Sequence, residues 1–222
     1  MYVPPAFRED RPEVLQAPIR ATRLAILVSH GPAGIIASHV PMLLDEAGPH
    51  GTLLGHIAKA NPQWRQTAAD TAALAIFPGV DAYISPSAYA TKRETGKVVP
   101  TWNYVAIHAY GPIQFFQDAD ALHALVSRLT EAHEAGRPAP WAVTDAPAEF
   151  IASQLKGIVG FRLAITRLEG KWKMSQNRPV ADRLGVVEAL KRDHDPAATA
   201  VAELVAATLP ADVKDRPRDA GE

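Results

Sequence analysis

The sequence predicts a mainly β chain with peripheral helices, built as an antiparallel barrel with a helical C-terminal end. Three observations predict it. Short apolar runs of strand character recur from Leu24 to Leu168. Most are joined by turns too short to hold a helix, which favours an antiparallel sheet over a parallel doubly wound one. Helical periodicity is confined to the flanks and to the last stretch of the chain.

The elements follow in order. Asp10, Pro12 and Glu13 form a helix start, an acid cap with an early proline and an early acid, for a short helix through Val14, Leu15 and Ile19. Leu24 to Ser29 and Ile35 to Leu44 are apolar runs around Gly31 to Gly34, hence a hairpin. Asp45 to Gly51 is a second turn, and Thr52 to Ala58 a third strand. Asn61 with Pro62 predicts an N-cap followed by a helix. Leu74 to Phe77 and Ala82 to Ser85 read as two short strands split by Pro78-Gly79, and Pro86 to Pro100 as a long loop.

From Thr101 the pattern alternates again. Trp102, Tyr104, Ala106, His108 and Tyr110 share one strand face, Gly111-Pro112 interrupts, and Ile113 to Phe116 resumes. Leu122, Leu125, Val126 and Leu129 predict a helix over Asp118 to His133, broken at Gly136 to Pro140. Ala148 to Leu155 is a short helix and Ile158 to Leu168 a strand. Two helices are predicted near Arg183 to Arg192 and Ala197 to Leu209, with a frayed end from Ala211.

Composition narrows the function. The 222 residues carry 47% hydrophobic and 21% charged residues, ordinary values for a globule with a core. A net charge of -1 supplies no global attraction to nucleic acid or an anionic membrane. With no cysteine there is no disulfide, thiolate nucleophile or cysteine metal site. The start MYVPPAFRED lacks the basic and apolar regions of a signal peptide, and no apolar run is long enough to span a bilayer. The expectation is a soluble, cytoplasmic protein without membrane partners.

Several chemistries have no motif. GxGxxG, GxxxxGK[ST] and GxSxG are all missing from the chain. The 8 histidines include no HxxxH or HExxH pair, and His30, His39, His56 and His108 lie on different strands. They read as hydrogen-bonded strand residues and no metal site is assigned. No catalytic acid or base can be named.

What remains is polar, cationic and aromatic material at strand ends. The segment KWKMSQNR, Lys171 to Arg178, sets three cations beside one indole and Ser175, Gln176 and Asn177. Cations for phosphate oxygens, amides for a ring edge and an aromatic face suit a phosphorylated planar cofactor. A basic loop whose Trp172 plugs the core is the other reading. His56, Lys59 and Asn61 sit where a strand meets a helix start, a phosphate cradle or a plain cap with a solvated lysine. Ser38-His39-Val40-Pro41 opens the return arm of the hairpin, with Pro41 implying an edge or a bulge. Trp102-Asn103-Tyr104 offers two aromatics on one face, either core or cofactor wall.

Six blocks resemble one family: MYVPPAF, GHIAKANPQW, AYISPSAY, GKVVPTWNY, GRPAPWAVTDAP and KWKMSQNR with Pro179. In this order, from Met1 to about Leu209, they resemble the PaiB family, described as FMN-binding negative transcriptional regulators and similar to the FMN-binding split barrels. The resemblance implies a split β-barrel over residues 1–180, a helical appendage over 181–210 and a flexible tail over 211–222. It implies a homodimer with FMN in a cleft between subunits. The cofactor-binding candidates are Ser38, His39, Val40, Pro41, His56, Lys59, Asn61, Ser85, Ser87, Trp102, Asn103, Tyr104, Lys173, Ser175, Gln176, Asn177 and Arg178. Lys173, Gln176 and Arg178 are expected to face the flavin, and Trp172 to pack as a wall or plug.

Two departures bear on this. Ala88 stands where the family's block carries a Trp, which opens the pocket, and Ser38-His39 stands where split-barrel enzymes use an arginine. An FMN- or haem-using oxidoreductase on the same scaffold is the alternative function. Direct DNA reading is implied by the family's description but not by charge. Between Asp182 and Leu209 five acids face three bases, whereas a recognition helix needs cations for phosphates.

Overall fold

The computed structural model describes residues 1–22, 24–68 and 71–214. Its strands are β1 (Arg8–Glu9), β2 (Leu24–Gly31), β3 (Gly34–Asp45), β4 (Thr52–Ala58), β5 (Ala72–Ile84), β6 (Thr101–Phe116), β7 (Ile158–Ala164) and β8 (Arg167–Lys173). Its helices are α1 (Pro12–Ala21), α2 (Gln63–Gln66), α3 (Thr91–Thr95), α4 (Ala119–Glu134), α5 (Ala148–Leu155), α6 (Val180–Arg192), α7 (Pro196–Ala207) and α8 (Ala211–Lys214). The chain forms two compact units, one of residues 10–78 and 107–169, the other of residues 1–9, 79–106 and 170 onward.

The first unit is the barrel. β2 and β3 form the expected hairpin, with Gly31 opposite Gly34 and Leu27 opposite Ser38. The strand order β5-β2-β3-β4-β7, with β6 beside both β7 and β5, closes on itself. The β2–β3, β2–β5, β3–β4, β4–β7 and β6–β7 pairings are all antiparallel. Alternate residues point inward, so Ala25, Leu27, Val40, Met42, Leu53, Ile57, Phe161 and Leu163 are buried. α4 begins at Asp118, whose carboxylate accepts from the N–H of Ala121 at 2.9 Å, and Leu122, Leu125 and Leu129 form its buried stripe. α1 buries Leu15 and Ile19, but its N-cap is Arg11 rather than Asp10.

Pro41 pairs on one side only, with Leu24 of β2. β3 pairs with β2 up to Pro41 and with β4 from Met42 onward, so the proline stands where the strand changes partner. A missing N–H costs least at such a hand-over.

The second unit contains β1, the end of β8, the start of β6 and the end of β5. β1 pairs with β8, Arg8 opposite Lys171. Its apolar core gathers Ile84, Tyr89, Val105 and Met174 with Val186, Val187 and Leu190 of α6 and Val201, Ala202 and Val205 of α7. The C-terminal helices therefore spend their apolar faces on packing inside this unit.

Five further expectations are corrected. β5 runs unbroken through Pro78-Gly79, and β6 through Gly111-Pro112. In each the glycine admits a neighbour: a Cβ on Gly79 would lie 2.7 Å from the Cβ of Val105, and one on Gly111 1.8 Å from the Ala164 carbonyl oxygen. The loop after Ile84 contains a 3-10 turn, Pro86–Ala88, and the short helix α3. The run Ile158 to Leu168 is two strands, β7 and β8, and β8 carries the first residues of KWKMSQNR. At the end, residues 211–214 form the turn α8, and 215–222 lie outside the described residues.

Candidate functional site

In the barrel unit a fixed polar turn follows β4. α2 is a single turn whose N-cap is Pro62 rather than the expected Asn61, and Asn61 Oδ1, one residue earlier, accepts from the Gln63 N–H at 2.9 Å. Asn61 Nδ2 donates to Ser38 Oγ on β3 at 2.8 Å. With that oxygen accepting, the Ser38 hydroxyl proton remains to be donated outward. Gln63 underpins the turn. It is fully buried, and its Nε2 donates to the Leu27 carbonyl at 3.2 Å and to Ser29 Oγ at 3.0 Å. Its Oε1 is buried without a partner, so the amide is held by one end only.

Lys59 is exposed beside this turn. Its carbonyl accepts from the indole N–H of Trp64 at 3.1 Å, and Arg65 lies over the Trp64 ring at 4.7 Å. Among the described residues Lys59 forms no ion pair. The Gln63 N–H, one of the donors expected in a phosphate cradle, is taken by Asn61.

Of the other candidates on this unit, His39 is exposed, Pro41 is half-buried and Val40 is buried in the core, where its side chain serves packing alone. Burial holds the His56 imidazole below its ordinary pKa, so it stays neutral.

The remaining candidates lie in the second unit. Lys171 is buried (8% exposed), donates to the Tyr2 carbonyl at 3.2 Å and lies 5.2 Å from the Tyr104 ring centre. Lys173 donates to the Thr101 hydroxyl and to the Trp102 carbonyl. Burial, then the charges of Lys171 and Arg178, hold its pKa below the usual lysine range. Arg178 sits 4.7 Å from the ring centre of Tyr89, a buried phenol whose hydroxyl has no partner. None of the three cations has a carboxylate partner among the described residues.

The polar members of KWKMSQNR are spent internally. Gln176 Oε1 accepts from the Met174 N–H at 2.7 Å, and its Nε2 donates to the Trp172 carbonyl at 2.6 Å. Ser175, at a positive φ of 59°, is buried against buried Asn103, Nδ2 to Oγ 3.1 Å. This is the geometry of a stapled strand end. Asn177 is exposed, and Ser85 and Ser87 bond each other at 2.7 Å. Trp102 is half-exposed and meets Tyr83 edge-on at 5.8 Å.

Sequence reasoning passed over Gln63, Tyr2 and Tyr89. A glutamine at the third position of a turn carries no local signal of burial, and a tyrosine near the terminus none of a cation partner. Among the described residues no group of three His, Asp or Glu side chains is placed to hold a metal, and no helix is long and apolar enough to cross a membrane.

Comparison with known proteins bears on the family and the fold. A family model described as "Putative FMN-binding domain" matches residues 1–167. "Protease synthase and sporulation protein PAI 2" of Bacillus subtilis (strain 168) is 33% identical over 205 residues, 92% of this chain and 96% of that one. Two solved structures share the split-barrel fold: the FAD and heme binding protein from Mycobacterium smegmatis (TM-score 0.54, 16% identity) and the flavocytochrome Anf3 from Azotobacter vinelandii (TM-score 0.54, 11% identity). Each covers 75% of this chain, and the match spans 73% and 69% of theirs.

Proposed function

This chain belongs to the FMN-binding PaiB family, and on that premise we propose that it is a homodimeric FMN protein of regulatory type. The observation that carries the site is the turn after β4. It lies inside the family-matched residues 1–167, whereas Lys171 to Arg178 lie outside them. There an exposed lysine without an ion pair precedes Asn61 by two residues, and the Asn61 amide, which also binds the Gln63 N–H, donates to the Ser38 hydroxyl. One ammonium and one hydroxyl donor fit a phosphate monoester. Lys59 and Ser38 would hold the phosphate, with His39 and the neutral His56 bordering it, and the Gln63 amide keeps the turn from moving. A bound flavin supplies one- or two-electron redox chemistry, or a sensory state set by it.

One feature supports the dimer and another the regulatory role. Tyr83 and Trp102 leave apolar ring surface in water, as surfaces awaiting a partner do. The relative from Bacillus subtilis is named for protease synthesis and sporulation, which supports regulation over metabolism.

The test is the absorption spectrum of the purified protein with and without added FMN, together with its mass by light scattering. Retained FMN absorbance in a dimer supports the reading. A protein that takes up no FMN in either state overturns the site, and a flavin-binding monomer overturns the dimer.

A further inference from the structure

The barrel unit holds a cavity that the flavin reading does not use. It lies against α4, α5 and the turn at Val143–Asp145 and has a volume of about 650 Å³, within the range of sites for small organic ligands. Its wall is apolar, with Leu122, Val143, Ile151, Leu155 and Ile158 among the lining residues. Neither Ser38 nor Asn61 borders it.

The charged groups on the wall are Lys59, Lys156 and Asp120, with His123 beside them. The two lysines stand at one end, because the Lys59 N–H donates to the Gly157 carbonyl at 2.7 Å and Ala58 pairs with Ile158. Among the described residues neither lysine has an ion pair. Two cations against one acid leave the wall positive, and Gln117, Thr144 and His123 are its other polar members beside the apolar majority.

We infer that this cavity is an effector site for an amphipathic monoanion, an aliphatic or aryl chain ending in a carboxylate. The chain lies among Leu122, Ile151 and Leu155, and the carboxylate meets Lys156. A regulatory protein with a flavin at one site has in this cavity a second input of different chemistry. Lys59 borders both sites, so the variants that test this one leave it untouched, and the result stands or falls apart from the flavin reading.

The experiment is calorimetric titration of the full-length, FMN-free chain with decanoate, decanol and decylammonium. Decanoate is expected to bind once per chain, about tenfold tighter than decanol, with no binding of decylammonium. Lys156→Met should weaken decanoate about fivefold or more and leave decanol unchanged. Ile151→Trp, or Ala152→Phe should the first not fold, should block both ligands by filling the cavity. Equal binding of decanoate and decanol overturns the inference, as does full decanoate affinity in the filled variants. So does the absence of any heat together with chain association that Ile151→Arg abolishes, since the face then belongs to a second copy.

Discussion

Asp182 of α6 accepts two hydrogen bonds from Thr91 at the start of α3, from the backbone N–H at 2.9 Å and from the hydroxyl at 3.0 Å. The acid is fully buried. It is one of the acids that made the C-terminal helices look acidic in the sequence, yet it reads no ligand and pins two elements of one unit together.

Asp182→Ala leaves the Thr91 donors unpaired in the interior. Bonds to a charged acceptor contribute roughly 1.5–3 kcal/mol each, so a loss of about 2–4 kcal/mol is expected. The melting temperature should fall by roughly 2–4 °C per kcal/mol. Asp182→Asn keeps one acceptor and should lose about half as much. A melting curve for Asp182→Ala that overlays the native one would show the pair to be idle.

Gln176→Ala breaks the staple formed with Trp172 and Met174. The expected cost is about 1–3 kcal/mol of stability with FMN affinity unchanged. Flavin fluorescence titration and thermal melting together decide it. Lost flavin at an unchanged melting temperature would return the residue to the cofactor site.

Lys59→Ala should weaken FMN about tenfold or more, since a charge-assisted bond to phosphate contributes roughly 1.5–3 kcal/mol. Ser38→Ala should cost less, about threefold to tenfold. Both should melt like the native chain without flavin. Unchanged FMN affinity in Lys59→Ala would be incompatible with the assigned phosphate site.

Stability should fall in mild acid. Burial lowers the pKa of His56 and of His108 from the ordinary 6.5, so both are neutral when folded. The unfolded chain takes up protons first as pH drops, so their contribution is complete above about pH 6.5 and shrinks below it. Urea midpoints measured at about pH 7.5 and pH 5.5 should differ, and His56→Gln should reduce the difference. Identical midpoints at the two pH values would be falsifying.

The legible parts of the sequence were those whose signals are local. Gly31 to Gly34 announced the β2–β3 hairpin, and Asp118 with the leucine spacing announced α4. Pro78-Gly79 and Gly111-Pro112 misled because local breakers lose to strand neighbours, and the neighbours' close approach is what selects glycine there. β8 was hidden because Arg167, Glu169, Lys171 and Lys173 make one face fully charged, and Gly170 thins the other between Leu168 and Trp172. At the proposed site, residue types pointed to Lys59, Asn61 and Ser38. The Asn61–Ser38 contact joins a turn to a distant strand, which no local pattern encodes. Gln176 had the right chemistry for a ligand, and its backbone partners two and four residues away had the first claim on it.

The second unit is drawn from three separate pieces of the chain, and Arg8 finds its strand partner in Lys171. During synthesis the first residues must therefore wait, unpaired, until nearly the whole polypeptide has left the ribosome. Contacts this far apart in sequence slow folding. A ribosome stalled or a message cut short before β8 releases a chain whose barrel strands are made but whose beginning has nothing to bind. Such fragments are natural prey for proteases, so quality control in the cell would discard incomplete copies.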